Sequence, residues 1–518
     1  MHKRLLSKTI HVGISTLLSR LFGIVREVLM VRYLGATGLS DAFLTAFKIP
    51  NSLRKIFAEG ALSAAFVPTI VHIIKYKDQS AIAGLMTLGF IVFEGCVLLL
   101  CSLIMLYAHT IISYIAPGFS PEQIQNTIPM LYILMPLIFF ISTSALLAGA
   151  LQAIGHFFIP AIAPIVMNGV FIIGILVCMF YNLPVTYLCR FVLLGGVIQC
   201  ILHGIIYIRL RFSYALPTYE DIKVFGSVLL TFLLCLPTIS VMEIALFIDT
   251  SFASLLPPGS ISLLFYANRF AGIPLGVFAV AFSTIILPHL SYINSYTPRR
   301  LHFYLLESAK LIFWITIPVA LLMAFFSHNI FETIFLSEKF TLAHVYEASA
   351  ILRAFLCGLF SFSLNKILLN IFYSMHAAWI PALISLCVTL INIVLNILFI
   401  EKFQTVGLAY ATTCSSIIQM LLFIVVLYKK YQFRLFWKNF IQFVIRYLVQ
   451  LTLYGSTFVL LYSLCTSIII NYMPPVLVFF LLKTILLWFW VGILTLLIAV
   501  AMWYSRKKFG IYLYFLGR

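Results

Sequence analysis

Charged side chains gather in the first two apolar stretches of the chain, between residues 20 and 59. They include Arg20, Arg26, Glu27, Asp41, Lys48, Arg54, Lys55 and Glu59. Each charge in a membrane span costs roughly 2.5 to 3.5 kcal/mol on insertion scales, and such groups usually face a cavity. In a helix that begins near residue 10, Arg20 lies about 15 Å from its start, too deep to reach either membrane surface easily. We therefore expect these residues to line a water-filled cavity.

Arginine is the residue type that gives this predicted cavity its chemistry. Arg20 and Arg26 lie about 120° apart around a helix axis, so both can border one broad cavity. Arg269 stands nearly alone in a later apolar segment. Its alternative role is that of a snorkelling or interhelical structural arginine. If Arg20, Arg26, Arg54 and Arg269 converge, their guanidinium groups suit a diphosphate through bidentate hydrogen bonds, which implies an anionic cargo with a phosphate head.

Local pairing offers a second interpretation of several of these charges. Pro50 is expected to interrupt its helix, and Asn51 to cap the restart that carries Arg54, Lys55 and Glu59. Lys55 and Glu59, at i and i+4, could neutralise each other, and so could Arg26 and Asp41.

A smaller polar group lies elsewhere in the chain. It consists of Asp249, Asn392, Asn396 and Thr412. Their oxygens could bind a small hard cation. The alternative is that they form hydrogen bonds between helices.

The composition places these groups in an integral membrane protein. Of the 518 residues, 63% are hydrophobic and 9% charged, outside the range of soluble domains. Long apolar runs with no short alternating strands favour helices over a β-barrel. Spans of roughly 20 residues predict about 14 transmembrane helices. Their centres lie near residues 22, 60, 94, 138, 170, 198, 235, 276, 318, 357, 391, 417, 455 and 490.

The distribution of basic residues predicts the orientation. The formal net charge is +18. Many basic residues fall in alternate loops and the C-terminal tail, which we expect to be cytoplasmic together with the N-terminus. The cluster of charges at loops argues against nucleic acid as a partner. The first segment carries Arg20 and Arg26 and no clear cleavage site, so it is expected to be a retained helix. The basic residues assigned to the cytoplasm are Lys3, Arg4, Lys8, Lys75, Lys77, Arg209, Arg211, Lys223, Arg299, Arg300, Lys429, Lys430, Arg434, Lys438, Arg506, Lys507, Lys508 and Arg518.

The chain also resembles itself. Residues 61–68 are similar to residues 281–288, and residues 159–161 recur as 380–382 at almost the same offset. Duplication predicts two six-helix lobes in a parallel pseudo-two-fold repeat, at residues 1–220 and 221–432, followed by helices 13 and 14 at 433–518. Chance similarity between apolar segments is the alternative. Transporters commonly bind substrate where such lobes meet and alternate access by rocking them.

Several motifs carry a resemblance to a known family. The motifs are residues 19–27, 41–43, 46–51, 53–61 and 65–68. Shorter similarities occur at residues 116–119, 160–168, 266–269, 276–278 and 392–396. In these residues the chain resembles the MurJ/MviN lipid II flippases. The resemblance implies a fourteen-helix exporter-superfamily protein of the bacterial inner membrane that carries lipid II to the outer leaflet for peptidoglycan synthesis. The resemblance therefore implies a transporter and not an enzyme.

The resemblance also implies roles for individual residues. Arg20, Arg26, Arg54 and Arg269 match the cavity arginines; Asp41, Lys48, Asn51 and Glu59 match residues that line or gate the cavity. Helices 13 and 14 match a groove for the polyprenyl tail, and Asp249, Asn392, Asn396 and Thr412 match a sodium site. Asn268 and Gly272 stand where family members often have acids, so Arg269 is expected to be less neutralised here. An acid is also missing at Asn396, which weakens the case for the sodium site.

The sequence is also compatible with other functions. One is export of another polyprenyl-pyrophosphate saccharide or of a drug, and another is a scaffold that holds cell-wall synthesis enzymes in the membrane without transport. An enzyme acting on polyprenyl phosphates would need clustered carboxylates, and the acids here are few and dispersed. No Gly-rich nucleotide loop with Lys and Ser or Thr occurs, which argues against ATP hydrolysis.

Overall fold

The regular elements of the chain are helical. The computed structural model describes residues 2–76, 79–212, 214–296, 300–375, 377, 379–434, 436–484 and 486–516. Among these residues every regular element is a helix, and an isolated bridge joins Ser337 to Phe340. The predicted all-α fold is confirmed. Lys77, Arg299 and Arg518, assigned above to the cytoplasm, lie outside the described residues.

The chain divides into two compact units, Met1–Ser262 and Leu263–Arg518. Helix α11 packs on α3 and α4 of the first unit, although the sequence places its residues at the start of a second lobe. The predicted lobe boundaries at residues 220 and 432 remain a prediction. The helices of the first unit are α1 (His2–Leu34), α2 (Gly38–Arg54), α3 (Ala61–Tyr76), α4 (Ala83–Gly89), α5 (Gly95–Leu106), α6 (Ala108–Ile115), α7 (Pro121–Leu134), α8 (Leu137–Ala153), α9 (Phe158–Phe180), α10 (Val185–Arg209) and α11 (Tyr219–Ser254).

Local sequence explains where several of these helices begin. The Thr37 side chain accepts a hydrogen bond from Ser40 N before α2. Ser120 with Gln123, and Thr218 with Asp221, form reciprocal capping boxes at α7 and α11. These side chains satisfy backbone N–H groups that the first helical turn leaves unpaired. Aromatic side chains then fill the core of the unit, among them Phe66, Phe93, Tyr207, Phe225 and Phe232.

The second unit is built in the same way. Its helices are α12 (Ser260–Pro274), which begins at the end of the first unit, α13 (Ala281–Tyr296), α14 (Leu301–Phe325), α15 (Ser327–Phe335), α16 (Leu342–Leu356), α17 (Leu359–Ser374), α18 (Trp379–Lys429), α19 (Trp437–Tyr472), α20 (Pro475–Lys483) and α21 (Leu486–Ser505). One core lies between α13, α14, α17 and α18. A second core joins α14 to α19 and to the C-terminal residues Ile511 and Leu513.

The helices account for the predicted spans. Within the described residues, nine helices are long and apolar enough to cross a bilayer, or ten if α16 and α17, bent by 43°, form one span. Helix α1, the run from α2 to α3, and α11 occupy three more predicted positions. Helix α18 holds two, because Gln404 (φ 49°, ψ −129°) breaks it. Each predicted centre therefore falls within or beside a helix.

Two π-helical segments occupy matching places in the sequence repeat. They are Lys55–Gly60, between α2 and α3, and Leu275–Val280, between α12 and α13. Lys55 and Leu275 are separated by the same offset as Ala61 and Ala281, the start of the repeat. The same uncommon backbone conformation therefore occurs at both positions of the sequence similarity, and the duplication itself stays a prediction.

The break predicted at Pro50 is wrong. Helix α2 continues through Pro50 to Arg54, and the carbonyl of Asn51 accepts a hydrogen bond from Lys55 N inside the helix instead of Asn51 capping a new one. In a helix bundle, a proline can remain inside a helix because nearby turns adjust around the lost hydrogen bond. The wider π turn begins at Lys55. Helix α1 is likewise continuous through Gly23.

Gly118 allows the loop before α7 to approach the end of α11. Its N–H donates to Ser254 Oγ at 3.1 Å, and a Cβ at this position would lie 2.1 Å from Ser254 O. We expect Gly118→Ala to destabilise the protein by about 2 kcal/mol, because the loop must move away from α11. Thermal melting of the purified protein checks this. Gly226→Ala on α11 is the control, since a Cβ there meets nothing within 4 Å. Equal melting temperatures for the two variants would contradict the prediction.

Candidate functional site

Arg26 is held against α9. Its Nη1 donates to Asn168 Oδ1 at 2.9 Å, and its Nη2 donates to Glu27 Oε1 at 2.5 Å. The guanidinium carbon lies 5.0 Å from the centre of the Phe171 ring. These contacts replace the pairing with Asp41 that the sequence left open. Because Glu27 and Asn168 together fix the guanidinium plane, the N–H donors of Arg26 are held in one orientation.

Lys48 and Lys55 join α2 and the π segment to α11. The Lys48 ammonium donates to Leu246 O at 2.7 Å and to Thr250 Oγ1. Lys55 Nζ lies 3.0 Å and 3.2 Å from the two carboxylate oxygens of Glu243. Lys48 and Lys55 are two helical turns apart, as are Glu243 and Thr250, so each set occupies one face. The alternative pairing of Lys55 with Glu59 is not tested, since the Glu59 side chain lies outside the described residues, but Lys55 does bind Glu243.

Asp41 caps the start of α12. Its side chain accepts hydrogen bonds from Gly259 N at 2.6 Å, Ser262 N at 2.8 Å and the Ser262 hydroxyl. The residue is 2% exposed. A buried carboxylate at a helix N-terminus is stabilised by the amide groups and the helix dipole. Gly259 adopts φ +100°, and a Cβ there would lie 2.5 Å from Ala36 O. Asp41 therefore ties α2 to the first turn of α12.

The remaining predicted arginines differ in exposure. Arg20 on α1 is exposed, and Arg54 is half-buried at the end of α2, where Asn51 is also half-buried. Arg269 is exposed on α12, with its guanidinium carbon 5.1 Å from the centre of the Phe265 ring. Arg20, Arg26 and Arg54 belong to the first unit and Arg269 to the second. Their convergence on one cavity remains a prediction.

The smaller polar group is only partly connected. Asn396 Nδ2 donates to Asn392 Oδ1 at 3.1 Å, and both residues are buried in α18. Thr412 Oγ1 donates to Leu408 O at 3.0 Å, a bond within its own helix. Asp249 lies in α11 of the first unit. The sodium site remains a prediction.

Charged residues inside helices that were not predicted from the sequence include Glu243, Glu94 and Lys366. Glu243 is the partner of Lys55. Glu94 is 5% exposed within the first unit. Lys366 is half-buried on α17. Each is a single ionisable residue in an apolar run, and the criterion applied to Arg269 would have identified all three.

Comparison with protein families and solved structures gives one consistent result. The family model described as "Lipid II flippase MurJ" matches residues 30–506. A solved structure described as "Lipid II flippase MurJ, inward closed conformation" is similar with a TM-score of 0.76 and 26% identity, covering 96% of this chain and 99% of that chain.

Curated relatives have similar descriptions. A "Probable lipid II flippase MurJ" from Buchnera aphidicola is 32% identical over 448 residues, which are 82% of this chain and 84% of the relative. A "Lipid II flippase MurJ" from Burkholderia cenocepacia is 30% identical over 423 residues, 80% of this chain and 82% of the relative. An inward-facing multidrug resistance MATE transporter shares the fold, with a TM-score of 0.68 at 14% identity over 81% of this chain and 96% of that chain.

Proposed function

This chain belongs to the lipid II flippase MurJ family, and we propose that it moves lipid II from the cytoplasmic to the outer leaflet of the inner membrane. The observation that carries the proposal is the likeness to a lipid II flippase over nearly the full length of both chains. Parallel repeats favour alternating access as the transport mode. We place both termini in the cytoplasm, on the distribution of basic loop residues.

Within this proposal, arginines bind the pyrophosphate of the cargo. Support comes from three acids of the first unit that are engaged by groups of the protein: Glu27 by Arg26, Glu243 by Lys55, and Asp41 by the start of α12. Arg20 is exposed on the same helix as Arg26. A diphosphate carries several acceptor oxygens, and guanidinium groups bind them in bidentate geometry. Arg54 and Arg269 are assigned the same role, and Lys48, Asn51, Asp41 and Glu59 are assigned to the lining and support of the cavity.

The two lysines of α2 and the π segment have a positioning role in this scheme. Each is engaged by α11, Lys48 through Leu246 and Thr250 and Lys55 through Glu243. Bound in this way, they fix the end of α2 that carries Arg54 relative to α11. A cavity arginine on a fixed helix loses less conformational freedom when the cargo binds, so binding costs less free energy.

Leaflet accessibility of lipid II tests the function. In cells depleted of this protein, lipid II is expected to accumulate in the inner leaflet, and the intact protein to restore its exposure to an external toxin or protease probe. Arg20→Ala is expected to slow this exposure at least tenfold, because charge-assisted bonds to phosphate contribute roughly 1.5 to 3 kcal/mol.

The control is Arg190→Ala, an exposed arginine on α10 that lies over the Tyr187 ring and outside the candidate site. It is expected to restore exposure as well as the intact protein does. An unchanged leaflet distribution after depletion, in a cell without a second flippase, would exclude lipid II as the cargo.

A further inference from the structure

Glu94 is a buried acid that the proposed transport site does not use. It ends a third π-helical segment, Phe90–Glu94, which lies within the apolar run Ala83–Leu106. The residue is 5% exposed. The preceding Phe93 packs on Phe66, Phe225 and Phe232, so the segment is anchored in the aromatic core of the first unit.

The hydrogen bonds of Glu94 are few. Its Oε1 accepts from the Ser142 hydroxyl on α8 at 2.7 Å, and Ser142 is itself fully buried. Its Oε2 is buried and makes no hydrogen bond to the described residues. No ion pair within the described part of the chain includes it. Glu94 thus differs from Glu27 and Glu243, which are each paired with a cation.

The polar groups around Glu94 are hydroxyls, thiols and an imidazole. Helix α4 presents only uncharged residues, and α8 contributes Ser142 with Thr143 beside it. The thiols of Cys101 on α5 and Cys200 on α10 are near enough to interact electrostatically with it. His203 on α10 bonds through Nδ1 with Ser144 and with Gln199 O.

Burial without a cation decides which form of the carboxyl group is present. An ionised carboxylate removed from water costs several kcal/mol unless it is paired and hydrogen-bonded. A neutral carboxylic acid with one hydroxyl partner costs far less, since only a hydrogen bond is incomplete. The surroundings of Glu94 therefore fit the protonated acid.

We propose that Glu94 is a proton-binding site of the first unit, loaded in this conformation and emptied when the contact between Phe90–Glu94 and α8 opens to water. The proton passes between the carboxyl group and water, so no other reactant is needed. A π-helical segment suits this role, since π turns insert an extra residue in a helix and are frequent at functional sites. The proposal does not depend on the identity of the cargo.

Labelling with the apolar reagent dicyclohexylcarbodiimide tests the protonation state, because the reagent reacts with protonated carboxyl groups. The intact protein in lipid nanodiscs is labelled between pH 6 and pH 9 and analysed by peptide mass spectrometry. Glu94 is expected to be labelled at pH 7.5 at least tenfold more than Glu243, the matched control, which is 6% exposed but paired with Lys55. Equal labelling of the two acids overturns the proposal.

An infrared spectrum covers the case in which the reagent does not reach Glu94. The carbonyl band of a protonated carboxyl group is expected at pH 7.5 in the intact protein and to be lost in Glu94→Gln. If that band is the same in both proteins and Glu94 is unlabelled, the proposal is wrong.

Transport then tests whether the proton is released. Glu94→Gln keeps an acceptor for Ser142 but cannot exchange a proton. We expect its transport rate to vary less than twofold between pH 6 and pH 9, whereas the rate of the intact protein varies at least fivefold. Identical pH profiles would overturn the release step. A failure of lipid II as cargo would instead abolish transport in both proteins and leave the labelling result unchanged.

Discussion

Arg26→Ala is expected to slow lipid II transport about 100-fold, equivalent to roughly 2.7 kcal/mol of lost interaction. The substitution removes a guanidinium group that Asn168 and Glu27 hold in one orientation. It also removes the cation of the buried Arg26–Glu27 ion pair, and breaking such a pair is strongly destabilising. The measurement is the rate of lipid II exposure in cells depleted of the intact protein, corrected for the amount of variant in the membrane.

A second variant separates binding from folding. Arg26→Ala combined with Glu27→Gln removes both partners of the ion pair, so no uncompensated charge stays buried. We expect the double variant to recover melting temperature but not transport. Arg26→Lys keeps the charge and loses the fork, and transport is expected to stay at least tenfold below that of the intact protein. Recovery of transport in the double variant would show that Arg26 acts only on stability.

Asp41→Ala is expected to lower the free energy of unfolding by about 3 kcal/mol. The change leaves Gly259 N, Ser262 N and the Ser262 hydroxyl without their acceptor in a buried position. Each buried donor left unpaired costs roughly 1 to 3 kcal/mol, and part of this cost is relieved when water enters. Thermal melting of the purified protein, followed by light scattering and size exclusion, measures the effect.

Ser262→Ala is the matched control for Asp41. It removes the hydroxyl donor but keeps the bonds from Gly259 N and Ser262 N, so we expect a loss of about 1 kcal/mol. If Asp41→Ala melts like the intact protein and only transport falls, then Asp41 acts on the cargo and its contacts at α12 do not stabilise the fold.

Much of the architecture can be predicted from hydropathy. Each apolar window corresponds to helix because backbone groups in lipid must bond within their own segment. The offset between Ala61 and Ala281 is also the offset between the two π segments that begin at Lys55 and at Leu275, although no irregular turn was predicted from the sequence. Arg26, Asp41, Lys48 and Lys55 each make polar contacts in the first unit, with α9, with the start of α12 and with α11, and their shared role in one cavity stays a prediction.

The partners of these residues could not be predicted in the same way. Asp41 binds residues near 260, and Lys55 binds Glu243, each far away in the chain. Local spacing rules for helices consider only neighbours at i+3 and i+4, so they suggested Glu59 for Lys55. The continuation of α2 through Pro50 depends in turn on how neighbouring helices support it, which propensity alone does not contain.

The π segment Lys55–Gly60 determines how far α3 is rotated about the helix axis relative to α2, which precedes it in the same span. An extra residue in a turn rotates everything after it by roughly 100° relative to a continuous α-helix. Helix α2 can therefore face α7 while α3, farther along the same span, faces α8 and α11 with Leu62, Phe66 and Ile70. In an uninterrupted α-helix, those three side chains would be rotated by roughly 100° from the face that packs on α8 and α11. In this span the packing depends on how many residues separate Arg54 from Leu62 as well as on which residues they are.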